Sequence, residues 1–207
     1  MFNIIKSFDV PTPVKAYTWA VNKISTYGRK VIDENGYITK EIENLRVTIQ
    51  NPCGSDNWPI PNTGWTLPAL NEYVDKEIIS SKVPPGFLYS YGNRLFAHPP
   101  SEMNQIEMVI KRLENSKTTR RAVAVTVSPE YDCDIYLASI PCLQLISFLC
   151  RDGKLNMTAV FRSWDVKRAG PANLYGLSKL LEYVANRTNM PTGELTVFAI
   201  AAHVYED

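Results

Sequence analysis

The segment from Cys142 to Trp164 constrains the fold most. Two apolar runs, CLQLISFLC (142–150) and KLNMTAVFRSW (154–164), flank Arg151-Asp152-Gly153. Asp-Gly between strand-like runs signals a hairpin, because both residues tolerate the positive φ of a tight reversal. RRAVAVTV (121–128), ENLRVTIQNP (43–52) and TVFAIAAHVYED (196–207) read as further strands. Apolar spacing predicts helices over 13–27 (Val14, Tyr17, Val21, Ile24), over 67–80, and from Ser101 as N-cap through Met103, Ile106, Val109, Ile110 and Leu113. Another runs from about Ala172 to Arg187, its face set by Leu174, Leu177, Leu180, Leu181 and Val184. Residues 52–66, rich in Pro, Gly, Asn and Trp, read as an ordered loop. Strands come in runs instead of alternating with helices, which predicts an α+β fold with helices laid on a mostly antiparallel or mixed sheet. The 207 residues suffice for one domain spanning 1–207 with a real core.

Composition narrows the function classes. A net charge of +1 gives no general pull toward nucleic acid or membrane, so a bound anion must be gripped locally. No secretory signal opens the chain, and no window reaches the roughly 18 apolar residues of a membrane span. Cys53, Cys133, Cys142 and Cys150 show no CxxC spacing and there are two histidines, which argues against structural zinc. The expectation is a cytoplasmic protein with reduced thiols.

Three short stretches carry chemistry-bearing side chains. Arg120 and Arg121 stand at the mouth of an apolar strand. A solvated pair is the commoner reading; the functional one is a phosphate clamp, since the guanidinium fork matches phosphate oxygens. Phe161-Arg162-Ser163-Trp164-Asp165 closes another strand, where a surface ion pair is the ordinary alternative. Between them, Cys142 follows a proline at the start of a strand, where its side chain can face a cleft, whereas Cys150 on the same strand reads as core. An arginine approaching Cys142 would lower its pKa and make the thiolate nucleophilic.

RR, an apolar strand, Pro-Cys, a hairpin into F-R-S-x-D, G-P-x-N opening a helix, P-x-G-E-L and finally H-x-Y together resemble the catalytic half of the thymidylate synthases and the related pyrimidine nucleotide hydroxymethylases. The resemblance covers Asn115 to Asp207 and extends to Tyr91-Gly92-Asn93-Arg94 and Asn104-Gln105. It implies a thymidylate synthase-like α+β fold and one-carbon transfer to C5 of a pyrimidine nucleotide. Cys142 would be the nucleophile adding to C6, with Arg162 and Ser163 as phosphate ligands and Arg162 also favouring the thiolate. Arg120 and Arg121 would reach the phosphate in a neighbouring subunit, implying a homodimer with shared sites. Asp165 would order the pterin of a 5,10-methylenetetrahydrofolate-type donor, and Asn173 would read the base at N3 and O4. His203 and Tyr205 would hold the sugar 3′-hydroxyl, although His203 taken alone reads as a core histidine on an apolar strand. Glu77, with Glu72 as competitor, matches the family's catalytic glutamate.

The chain departs from the family pattern at several places. Leu143 stands where the usual enzymes have histidine, and Trp164 where they have a small residue. The family's R-T-G-T phosphate loop is missing, with GYITKE (36–41) about where it belongs. The sequence stops two residues after Tyr205, where typical members continue into a tail that closes over the folate. A closed, dry site favours hydride transfer and a methyl product, and an open one favours water and a hydroxymethyl product. The leading expectation is methylation of dUMP. The alternatives are 5-hydroxymethylation of dUMP, dCMP or CMP, and a non-catalytic nucleotide- or RNA-binding homologue.

Overall fold

A computed structural model describes residues 7–54, 58–134 and 140–206. Seven strands form one mixed sheet in the order β1-β3-β7-β6-β5-β4: β1 (Ser7–Val10), β3 (Ile38–Ile49), β7 (Thr192–Tyr205), β6 (Lys154–Asp165), β5 (Leu143–Arg151) and β4 (Val123–Val125). The remaining strand, β2 (Arg29–Ile32), pairs antiparallel with the start of β3. β1 runs parallel to the other end of β3, and β6 runs parallel to β7, so the sheet is mixed. The β5–β6 hairpin turns on Asp152 (φ 51°) and Gly153 (φ 75°), the two left-handed positions a two-residue loop demands.

Among the described residues six α-helices accompany the sheet: α1 (Pro13–Tyr27), α2 (Leu67–Tyr73), α3 (Tyr91–Phe96), α4 (Gln105–Asn115), α5 (Pro129–Asp132) and α6 (Gly170–Arg187). α1 buries Ala16, Ala20 and Ile24, and its Thr12 side chain caps the Lys15 N–H. α6 is the crossover between β6 and β7. It buries both faces, Asn173, Leu174, Leu177, Leu180, Leu181 and Val184 among them, because the sheet covers one side and α2 and α4 part of the other. Among the described residues, no helix is long and apolar enough to cross a membrane.

Several predicted elements shift. The helix over 67–80 ends its α-geometry at Tyr73 and continues as a π-helical turn, Val74–Ile78, closed by the Ile79 N–H on the Val74 carbonyl at 2.8 Å. The fourth helix starts at Gln105, with Asn104 as its cap instead of Ser101; the Asn104 carbonyl side chain accepts from the Glu107 N–H at 2.9 Å. Glu102 just before it is left-handed (φ 53°), which breaks the helix a sequence period would carry through. The strand predicted over 121–128 shortens to three residues, with Val123 and Val125 partly exposed at the sheet edge. The strand predicted over 43–52 reaches back to Ile38, drawn out by pairing with the fourteen-residue β7. The loop expected over 52–66 falls partly outside the described residues.

Candidate active site

A cavity of about 800 Å³ opens where the C-terminal ends of β6 and β7 meet the π-turn after α2 and the start of α6. Eight of the residues singled out in the sequence line it: Glu77, Cys142, Arg162, Ser163, Asp165, Asn173, His203 and Tyr205. Their meeting follows from the sheet register. On the parallel β6–β7 ladder, Ser163 lies beside Ala201 and Asp165 beside His203, so alternate residues of both strands reach the same face. The backbone N–H of Arg162 donates to the Cys142 carbonyl at 2.8 Å, which sets the cysteine against the same strand end.

Arg162 braces the approach to the cysteine. Its Nε donates to the Pro141 carbonyl at 3.2 Å and its Nη2 to the Ile140 carbonyl at 2.9 Å. The Cys142 thiol is half-buried, and this burial pushes its pKa up; Arg162 opposes that shift and Asp165 adds to it. The expected lowering by an adjacent arginine is therefore overturned for the free protein, because loss of hydration outweighs one guanidinium. Arg162 moderates the thiol without making it acidic.

At the other wall, the Ser163 hydroxyl lies 3.4 Å from His203 Nδ1, and the His203 ring meets Tyr205 edge-on at 5.3 Å. His203 thus lines the cavity, where the sequence taken alone favoured a core position. The Arg168 guanidinium sits 4.4 Å over the Tyr205 ring, and the Arg168 N–H donates to Asp165 Oδ1 at 3.0 Å. Asn173, 7% exposed, donates from Nδ2 to the Tyr73 hydroxyl at 3.0 Å.

The π-turn explains which glutamate reaches the cavity. Val74 and Ile78 point into the core while Tyr73 and Glu77 line the cavity. Burial raises the Glu77 pKa, which keeps a larger fraction of that carboxyl protonated near neutrality. Glu72 lies outside the cavity in an exposed ion pair with Lys76 at 2.5 Å. Tyr73 and Tyr91 also line the cavity and were not singled out as site residues. The signal for Tyr73 is its place four residues before Glu77, one helical turn away on the same face. Tyr91 is the first helical residue of α3, in the faint extension of the motif order.

Arg120 and Arg121 are not brought to this cavity. Both are exposed ahead of β4, where the Arg121 carbonyl accepts from Arg112 Nη1 at 2.5 Å. The 36–41 segment ends the β2–β3 turn and begins β3, with Gly36 at φ 85° and Asp33 Oδ1 accepting from the Asn35 and Tyr37 N–H groups at 2.9 and 2.8 Å. The turn brings Asp33 and Glu34, and β3 brings Glu41, to the cavity wall. Among the described residues lining the cavity, Arg162 carries the single full positive charge against five carboxyls.

Comparison with known proteins bears directly on this arrangement. The family model described as thymidylate synthase matches residues 16–207. A protein of Methanosarcina acetivorans named "Putative thymidylate synthase" is 44% identical over 191 residues, covering 92% of this chain and 85% of its own. Proteins with the same printed name from Methanosarcina barkeri and Methanocaldococcus jannaschii are 38% and 36% identical, covering 99% and 95% of this chain and 92% and 89% of their own. With a mixed-sheet α+β fold and a cavity at the strand ends that gathers the motif residues, the chain belongs to the thymidylate synthase family of one-carbon transferases.

Proposed function

We propose that the cavity takes a pyrimidine nucleoside monophosphate and that Cys142 adds covalently to C6 of its ring, preparing C5 to receive a one-carbon unit. The reading that fits best is thymidylate synthase-type methylation of dUMP. The observation that carries it is the convergence of Cys142, just before β5, with Arg162, Ser163 and Asp165 of β6, Asn173 of α6 and His203 of β7 on one cavity. C5 of uracil is a weak nucleophile until a thiolate adds at C6, so a covalent adduct divides one difficult step into easier ones. The raised thiol pKa means that Cys142 rests largely protonated and that its thiolate forms as the site fills. Arg162, the group that favours the thiolate, then stabilises the charge in a cavity from which the nucleotide expels water.

Asn173 offers an amide that accepts from N3–H and donates to O4, which suits uracil. His203 and Tyr205 stand together at the cavity wall to hold the sugar 3′-hydroxyl. The dianionic phosphate falls to Arg162 and Ser163, but a single cation among five carboxyls is a poor counter to two negative charges. Arg120 and Arg121, exposed and outside this cavity, supply the missing charge when they come from a second copy, which is the argument for a homodimer with shared sites.

The donor is 5,10-methylenetetrahydrofolate or a related reduced pterin, which supplies an electrophilic methylene carbon. The cavity fits such a co-substrate beside a nucleotide: its volume lies in the upper part of the usual ligand-site range. Asp165 hydrogen-bonds the pterin, and exposed Phe87 and Leu88 give an apolar wall for its ring systems. Glu77 handles protons at the base: burial has raised its pKa, so more of the carboxyl stays protonated toward neutrality, where it can pass a proton to the pyrimidine and take one back.

The test uses 5-fluoro-dUMP with the methylene donor. The fluorine blocks loss of the C5 substituent, so intact protein should gain the mass of nucleotide plus donor, and the gain should map to the peptide carrying Cys142. A mass gain on another cysteine, or none with any of the fluorinated uracil and cytosine nucleotides, overturns the proposal. Turnover in oxygen-18 water with dUMP, UMP, dCMP and CMP then identifies the product. Label in the nucleotide means that water trapped the methylene and that the enzyme is a hydroxymethylase.

A further inference from the structure

The hydrogen bond between Tyr73 and Asn173 bears on which pyrimidine the cavity accepts. Tyr73 ends α2 and stands one turn before Glu77, so both side chains face the cavity. Asn173 stands on the first turns of α6, and its Nδ2 donates to the Tyr73 hydroxyl at 3.0 Å. An asparagine amide presents a donor and an acceptor at two ends of nearly identical shape, and an unconstrained amide can exchange them by turning over. A uracil edge offers N3–H as donor and O4 as acceptor. A cytosine edge reverses both, with a bare N3 and an N4 amino group. The base that an Asn reader prefers is therefore set by whatever fixes the orientation of its amide.

We propose that Tyr73 is the positioning residue that sets base specificity: by accepting from Asn173 Nδ2 it keeps Oδ1 as the amide's acceptor for the N3–H of uracil. This rests on the reading of Asn173 given above. A hydroxyl can serve either end of an amide, and here the Tyr73 oxygen accepts from Nδ2 at 3.0 Å. Glu77, when ionised, acts electrostatically on the same hydroxyl and favours the orientation that turns its hydrogen away from the amide. Burial holds the phenol in its neutral form, so the oxygen stays a hydrogen-bond partner and never becomes a charge.

Two packing features keep this arrangement in place. The Trp65 ring meets the Tyr73 ring at 6.2 Å with planes 66° apart. A Cβ on Gly176 would lie 3.0 Å from Tyr73 Cε1 and 2.7 Å from Ile78 Cγ1, so α6 approaches the ring as closely as a glycine permits. Leu143, buried where the family pattern has a histidine, offers no polar group here, and the tyrosine hydroxyl comes from a different element. Reversing the amide for cytosine would give up the Nδ2–Tyr73 contact and require the Tyr73 hydrogen to turn to Oδ1, and that penalty falls on cytosine alone.

The test is Tyr73→Phe, which keeps the ring and removes one oxygen. Turnover (kcat/KM) and calorimetric Kd are measured with dUMP and dCMP on wild type and variant, and again with Asn173→Ala as background. The uracil-to-cytosine ratio should fall about tenfold, the scale of one well-placed polar contact. In the Asn173→Ala background, adding Tyr73→Phe should leave the ratio unchanged, because no amide remains to orient. A ratio within twofold of wild type, or the same fall in both backgrounds, overturns the inference; a merely structural role for the hydroxyl would weaken both nucleotides alike. Absence of turnover with either nucleotide refutes the proposed reaction, while the ratio of Kd values still decides the role of Tyr73. Failure of both nucleotides to bind refutes both.

Discussion

Replacing Asp132 by alanine should destabilise the protein by about 3–5 kcal/mol, the range for removing one partner of a buried ion pair. Arg94 on α3 and Asp132 on α5 form that pair at 2.7 Å, with side chains 7% and 4% exposed. The second carboxylate oxygen accepts from the Ser128 N–H at 2.7 Å. Alanine would strand the guanidinium, whose Nη1 has no hydrogen-bond partner among the described residues, and would also orphan that amide. Against a typical folding stability of about 5–15 kcal/mol the loss is about a fifth of the total or more. Asn at 132 keeps the shape and the Ser128 acceptor but loses the charge, and should cost about 1.5–3 kcal/mol, the worth of a hydrogen bond to a charged group. Arg94→Met with Asp132→Leu removes both charges, and should cost much less than the two single changes summed. Urea unfolding at one fixed protein concentration, compared by midpoint at unchanged slope, is the measurement. A loss below about 1 kcal/mol for Asp132→Ala, or a double variant as damaged as the sum, would show that the pair is not the buried clasp described.

Three further outcomes follow from the site. Burial raises the Cys142 thiol, so alkylation of the free protein by iodoacetamide should keep accelerating past the ordinary thiol midpoint of about 8.5, and Arg162→Gln should move the midpoint higher still; a plateau below that pH refutes the direction. Glu77→Gln should lower kcat strongly, whereas Glu72→Gln, whose carboxylate faces solvent, should leave it near wild type; equal losses would mean that the cavity-facing position is irrelevant. Mixing inactive Arg121→Ala with inactive Cys142→Ala protein should restore up to about a quarter of wild-type activity if random pairing in a two-fold dimer completes one site per mixed pair; no recovery in isolated heterodimers would mean that the arginines act elsewhere.

The parts of this structure legible in the sequence were those governed by local periodicity. The bounds of the helix over 13–27 were legible from its apolar spacing, but its buried face is Ala16, Ala20 and Ile24, with Val14, Tyr17 and Val21 only partly buried beside it. The Asp152-Gly153 hairpin was legible too. The parallel pairing of β6 with β7 was not, since nothing in either strand names its neighbour. Nor was β4, whose valines read as strand interior until the sheet turns out to end there. In the site, motif order located the strand-borne residues, and the sheet register then explains why they converge. Tyr73 escaped because its role depends on an interhelical contact 100 residues away in sequence. The direction of the Cys142 shift escaped because sequence names the arginine but not the depth of burial.

The π-turn between Tyr73 and Ile79 makes this cavity sensitive to chain length in a way it is not to side-chain identity. A single turn that hydrogen-bonds five residues ahead holds one residue more than its α-helical equivalent. Removing one residue from 74–76 would let the segment relax to an ordinary α-helix and set Glu77 three residues from Tyr73, about 60° short of a full turn at about 100° per residue. A deletion before Glu77 would carry that glutamate away from Tyr73, with no residue of the cavity itself replaced. Point changes on the exposed side of the turn alter the wall by degrees, whereas loss of one residue changes its phase outright. Length is therefore the property of this segment that tolerates least variation.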